Sequence, residues 1–251
     1  MDFSEDHHRY QSSDEEDFQE SFDQAITLPK PILVWRTGSA AHSPSSPKKC
    51  STLIIGTAFG GSSLLHTIKD KVLLGTLILP GVDLKDNTTD LSSASNASCN
   101  IYELRADPTV IIVPCNYVIK DKDSLNFAKV IMSNIQASSY PWLRLLQTAG
   151  STTVTKIPTL EVPNLVQNLG AALMGYCEVR GMHDAYLLLS LQEHVYGKAL
   201  TTAATLRGLR DGLASLGCPV IANDTDISAA VKQIQDKRVG SNRSREDRLY
   251  A

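Results

Sequence analysis

Four runs of strand length, "STLIIG", "KVLLGTLIL", "TVIIVP" and "AYLLLSLQ", are apolar through most of their length instead of alternating with polar residues. A strand with one wet face alternates, so a continuous run of this kind predicts burial on both faces. A fifth segment, "NIYEL", is set off from "TVIIVP" by the turn-like Ala106-Asp107-Pro108. Between these runs lie helical patterns. "KDKDSLNFAKVIMSNIQAS" puts Leu125, Ala128, Met132 and Ile135 at helical spacing, with Asp123 or Ser124 as the cap. Thr201 or Thr202 opens a helix whose stripe is Leu206, Leu209, Leu213 and Leu216, stopped by Gly217 and Pro219. A last helix groups Ile227, Ala230, Val231 and Ile234. Buried-type strands alternating with amphipathic helices predict an α/β fold, a three-layer αβα sandwich of Rossmann-like or phosphorylase-like kind. One such domain spans residues 26–236.

The flanks differ in composition. Residues 1–25 are dense in Asp and Glu and poor in aliphatic residues, so they predict a disordered leader with too little apolar surface to offset its ordering entropy. His7 and His8 there lack the further spaced ligands of a metal site. The short run "PILVW" precedes "TGSAAHSPSSPKK", where Ser43-Pro44 and Ser46-Pro47 suit either proline-directed phosphorylation or a plain loop. "KDNTTDLSSASNAS" is a second loose stretch.

Charge and cysteine usage exclude several classes. The formal net charge of -3 lacks the basic excess of a nucleic-acid binder. No apolar run is long enough to span a membrane, and the acidic start is neither a secretory signal nor a transit peptide. Cys50, Cys99, Cys115, Cys177 and Cys218 are widely spread with no CxxC pair, which reads as reduced thiols in a cytoplasmic or nuclear compartment. The Asn-x-Ser/Thr triplets at Asn87, Asn96, Asn223 and Asn242 then stay unglycosylated.

Each candidate for chemistry has a plainer structural reading beside it. "GTAFGGSSLL", with Gly56, Gly60 and Gly61, follows a strand and opens a helix, where phosphate loops sit. It lacks the Gly-Lys-Ser/Thr of a P-loop and the spacing of a dinucleotide site, and a tight strand-to-helix turn accounts for its glycines. His183-Asp184 and His194 flank "AYLLLSLQ", but neighbouring residues on one chain seldom point at each other. Cys115 and Cys177 sit in apolar elements, where an inert buried thiol is the default. Neither a nucleophile elbow nor a His-Glu-x-x-His motif occurs. The expectation is therefore no catalytic residue, no cofactor and no metal. The competing expectation is an α/β hydrolase or phosphorylase-like enzyme built on the Gly56–Gly61 loop.

The most sharply drawn element is "VPNLVQNLGAALMGYCEVRG". Asn164 and Gln167 have capping-box spacing, Leu165, Leu169, Ala172, Leu173 and Tyr176 share a face, and Gly181 offers a left-handed stop. The chain's last residues, "SREDRLYA", place Leu249, Tyr250 and Ala251 after a charged stretch that has no apolar stripe. Fully extended, residues 237–251 reach roughly 50 Å, the length of a tether.

Those two segments carry a resemblance. "EVPNLVQNLGAALMGYCEVRGMHDAYLLLSLQE" is similar to the central helix and following strand of the proteasome assembly chaperone 1 family, on Pro163, Asn164, Ala171, Ala172, Tyr176 and Cys177. Leu249-Tyr250-Ala251 matches that family's hydrophobic-Tyr-X (HbYX) terminal motif place by place. "STLIIGTAFGGSSLL" and "NIYELRADPTVIIVPCNYVI" resemble its earlier strands more loosely, while the leader and residues 85–98 do not match. The resemblance implies a non-enzymatic chaperone of proteasome core particle assembly. Its implied partners are proteasome assembly chaperone 2, in a heterodimer, and the proteasome α-subunits, whose ring it keeps from off-pathway dimerisation. It also implies that Leu249, Tyr250 and Ala251 dock in an α-subunit pocket, the carboxylate meeting a lysine.

Overall fold

The apolar runs do form strands. The computed structural model describes residues 30–36, 47–82, 87, 96–117, 119–147, 166–182, 185–195, 198–218 and 223–232, without the side chains of 58–59, 138–147 and 191–200. The strands are β1 (Ile32–Trp35), β2 (Lys48–Gly56), β3 (Lys71–Ile78), β4 (Cys99–Leu104), β5 (Val110–Pro114), β6 (Ile135–Gln147), β7 (Ala185–Val195) and β8 (Lys198–Leu200). The helices are α1 (Ala58–Thr67), α2 (Asp121–Asn134), α3 (Asn168–Val179), α4 (Ala203–Ser215) and α5 over 224–232. The strands form one sheet in the order β1-β3-β4-β5-β2-β6-β7-β8. Its centre, β5-β2-β6-β7, is parallel. β1, β3 and β4 extend it antiparallel on one side and β8 on the other.

Both faces of β2 and β5 are covered, which is why their apolar runs do not alternate. Leu53 and Ile55 of β2 and Ile111 and Val113 of β5 pack with Phe127, Ala128 and Ile131 of α2 and Leu169 and Leu173 of α3. Ile54 and Ile112, on the opposite face, pack with Leu64 and Leu65 of α1, Leu206, Leu209 and Leu213 of α4, and Ile227 of α5. Full burial of each such side chain contributes about 1.5–3 kcal/mol, so a strand buried on both faces draws nearly twice the return per residue of a half-wet one. The described parts make a mixed α/β domain.

Local signals held where the deciding residues are adjacent. Thr202 caps α4, its hydroxyl oxygen accepting the Thr205 N–H at 3.2 Å. Gly181 and Gly217 follow α3 and α4 with φ of +66° and +75°, the left-handed geometry of helix stops.

Four sequence expectations give way. The cap of α2 is Lys120, with no side-chain bond, and the Ser124 hydroxyl instead donates back to the Lys120 carbonyl at 3.0 Å. The buried stripe of α2 is Ser124, Phe127, Ala128, Ile131 and Met132, which leaves Leu125 48% exposed. Phe127 is the larger group, and bringing it inward rotates Leu125 toward solvent. "IQAS" does not continue that helix either. The chain passes directly from Asn134 into β6, whose pairing with β2 begins at Lys48↔Ile135. Finally, α3 begins at Asn168 rather than just after Asn164, and Gln167 stands at its N-cap with no side-chain bond. Gln167 is thus not the reaching partner of a capping box, and Asn164 and Leu165 lie outside the described residues.

Candidate functional site

The parallel strands β2 and β5 end side by side, Gly56 opposite Pro114, and the Cys115 N–H donates to the Gly56 carbonyl at 2.8 Å. This is the edge at which α/β proteins collect ligands. Gly56 turns at once into α1, with Thr57 as its N-cap. A Cβ on Gly56 would lie 2.5 Å from the Gly61 carbonyl oxygen and 2.8 Å from Leu65 Cδ1. Helix and strand end therefore approach more closely than any other residue allows, and packing alone demands this glycine.

Charge at α1 is arranged for its far end. The Lys71 ammonium donates to the carbonyls of Leu65 (3.2 Å) and His66 (3.1 Å) and sits 5.2 Å from the centre of the Tyr102 ring. A cation at those carbonyls suits the helix's C-terminal dipole and does not serve a phosphate at its N-terminus. Burial pulls the Lys71 pKa down to about 8.

The polar group nearest this edge is a knot that joins α1 to the residues after β5. The Ser62 hydroxyl donates to Asn116 Oδ1, His66 Nε2 lies 2.8 Å from the same oxygen, and Asn116 Nδ2 donates to the Asn96 carbonyl at 3.1 Å. The Asn96 carbonyl can only accept, so it sets the amide with its oxygen toward Ser62 and His66. His66 Nε2 must then carry the proton. Ser62 spends its own proton on an amide oxygen, not on a base, so the three residues do not form a nucleophile relay. Ser62 and His66 are i and i+4 on a helix and so share a face in the sequence, but Asn116 is unreachable from spacing.

The remaining sequence candidates fall as follows. Leu249, Tyr250 and Ala251 lie outside the described residues, as do the leader 1–25, His183, Asp184, Ser43, Ser46, Ile234 and residues 237–251. His194 stands on β7 opposite Ala199 of β8. Cys177 is buried in the helical core, and burial pushes its thiol up to about 11, consistent with an inert structural cysteine. Cys115 is buried as well, next to Cys99. Among the described residues no three His, Cys, Asp or Glu side chains gather as metal ligands, and no helix is long and apolar enough to cross a membrane.

Among the described residues, exposed apolar side chains gather on the outer strands of the sheet. Ile32 and Val34 of β1 are 62% and 50% exposed, and Ile78, directly across from Ile32 on β3, is 39% exposed. They share one face of the sheet's outer antiparallel pair, β1 and β3. β1 is only four residues long and is preceded by Lys30 and Pro31, devices that blunt an open sheet edge.

With this geometry in hand, comparison with known proteins is informative. No family model matches the chain. Proteins named proteasome assembly chaperone 1 do: that of Danio rerio is 25% identical over 181 residues, 59% of this chain and 62% of the relative. That of Xenopus tropicalis is 28% identical over 182 residues, 59% and 62% respectively. That of Homo sapiens is 32% identical over 117 residues, 37% and 40%. The chain thus spans about three fifths of the length of the first two relatives. Among solved structures, Pyrococcus furiosus PbaB, an archaeal proteasome activator, superposes with a TM-score of 0.56 at 12% identity, covering 86% of this chain and 100% of that one. Pyrococcus furiosus PbaA, an archaeal homolog of proteasome-assembly chaperone, gives 0.52 at 13% identity, covering 88% and 96%. At such identities these two speak for the fold alone. Over some three fifths of its length, the chain is a sequence homologue of proteins named proteasome assembly chaperone 1.

Proposed function

We propose that this chain is an assembly chaperone of the proteasome core particle, working by binding and not by catalysis. The carrying observation is its sequence kinship with proteins of that name, in a stretch that reaches well beyond any single motif. The strand-to-helix turn at Gly56 supports the same reading, since close packing accounts for the glycine that the enzyme alternative would assign to phosphate. In this reading the chain pairs with a related chaperone, proteasome assembly chaperone 2. The pair holds α-subunits while their ring is built and keeps finished rings from pairing with each other. It works in the cytoplasm or the nucleus. The fold reading that goes with it is a three-layer αβα sandwich of Rossmann-like type. It is supported by the way alternate side chains of β2 and β5 divide between two helix-covered clusters.

The contact with α-subunits is assigned to Leu249, Tyr250 and Ala251 at the end of the charged stretch 237–248. Leu249 supplies apolar burial and Tyr250 a rigid ring with a hydroxyl handle. Ordering the stretch before them costs entropy, so these residues add to a larger interface and do not replace it. The test is co-expression with proteasome α-subunits and the second chaperone, followed by pull-down of the wild type, of Tyr250→Ala and of a chain shortened by residues 249–251. Recovery of α-subunits with the wild type and a several-fold loss with both variants is expected, with the two chaperones still paired. A wild type that retains no α-subunit would overturn the proposal, and variants that bind as well as wild type would overturn the assignment to residues 249–251.

A further inference from the structure

The β4–β5 register, Tyr102↔Ile112 and Glu103↔Ile111, runs on past the end of β5 to one more bridge, Cys99↔Cys115. Its geometry follows from a neighbouring bond. The Cys115 N–H donates to the Gly56 carbonyl on β2, so the backbone groups of Cys115 face away from β4. Cys99 and Cys115 are therefore a non-hydrogen-bonded antiparallel pair, the kind whose Cα atoms approach to about 4.5 Å with side chains on the same face. That separation falls inside the range a disulfide spans. The two side chains lie in one buried cluster, where the Cys115 thiol donates to the Tyr117 carbonyl at 3.5 Å. Both cysteines are free. No other pair among the five cysteines is a cross-strand partner among the described residues.

We propose that Cys99 and Cys115 form a redox-responsive pair, which a hydroperoxide closes into an intramolecular disulfide. One thiolate attacks the peroxide oxygen, the O–O bond breaks, and hydroxide and a sulfenic acid form. The second thiol attacks the sulfenic sulfur, an S–S bond forms, and water leaves with the second proton. Two thiols are oxidised by two electrons and one hydroperoxide is reduced. Burial and the neighbouring Cys115 hold the Cys99 thiol well above the usual cysteine range, so the pair stays reduced at rest and closes only on local opening. The cross-link falls one residue before Asn116, the centre of the knot that ties α1 to β5. Closure would clamp the β4–β5 corner around the Gly56 edge.

The experiment treats the full-length protein with hydrogen peroxide, blocks residual thiols by alkylation and digests with trypsin without reductant. Cleavage at Arg105 separates Cys99, on the peptide 86–105, from Cys115, on 106–120, so a disulfide joins two peptides that reductant releases. The joined peptide is expected from folded protein. The thermal midpoint should rise by roughly 6–12 °C, as a loop of this length implies, and fall back with reductant. Cys115→Ala should abolish the rise and Cys50→Ala should keep it. Should Cys115→Ala fail to fold, the peptide readout on wild type decides alone. Joining to Cys50, Cys177 or Cys218, over-oxidation with no joined peptide, or joining only after denaturation would overturn the proposal.

Discussion

Gly56→Ala should destabilise the domain sharply. The added methyl group would meet the Gly61 carbonyl oxygen at 2.5 Å and the carbonyl carbon at 2.6 Å, and both atoms are backbone. A side chain could rotate away, but here β2 or α1 must shift, and each is packed into the core on either side of the contact. Overpacking of this kind costs about 1–3 kcal/mol, and backbone obstruction puts it at the upper end. For a domain of this size about 3 kcal/mol lowers the thermal midpoint by roughly 6–12 °C. Gly175→Ala is the internal control. Gly175 lies inside α3, where an added Cβ meets nothing within 4 Å, so the change should stabilise by about 0.5–1 kcal/mol through helix propensity. Thermal unfolding followed by circular dichroism, with both variants at one concentration and pH, reads the two directions in a single experiment. A Gly56→Ala protein that melts with the wild type would refute the packing account of this glycine and reopen phosphate binding at the turn.

The corrected face of α2 predicts that Phe127→Ala costs about 3–5 kcal/mol in denaturant unfolding, while Leu125→Ala costs far less. Equal losses would return Leu125 to the core. Lys71 predicts a pH effect. Its pKa is about 8 folded against 10.5 unfolded, so the cost of burying the charge is full below pH 8 and is relieved as pH rises toward 10.5. Wild type should therefore gain on Lys71→Met by on the order of 3 kcal/mol between neutral pH and pH 10.5. A constant difference across that range would mean the ammonium keeps its ordinary pKa, held by the Leu65 and His66 carbonyls.

What the sequence determined by itself is whatever neighbouring residues decide among themselves. Unalternated runs announced strands covered on both faces, and β5 and the Leu53–Gly56 half of β2 are such strands, whereas β3 leaves Ile78 and β7 leaves Tyr186 exposed. Thr202 reads as a cap because its bond partner is three residues away, and Gly181 and Gly217 read as stops because only glycine takes their backbone angles cheaply. The kinship with assembly chaperones was legible for the same reason, in the contiguous stretch around Pro163–Cys177.

Tertiary structure decided the rest. Nothing local marks Ile135–Gln147 as a central strand. Its start continues a helical pattern, and Pro141 has no N–H to donate, so the β2–β6 register skips the pairs at Tyr140 and Pro141. It is a strand because β2 and β7 on either side satisfy its remaining backbone groups. The inward turn of Phe127 at the expense of Leu125, the meeting of Ser62 and His66 with Asn116, and the pairing of Cys99 with Cys115 all depend on chain crossings that bring distant residues together. Spacing along the chain carries no record of such meetings, because the energy that favours them is released only when the sheet is assembled and both its faces are closed.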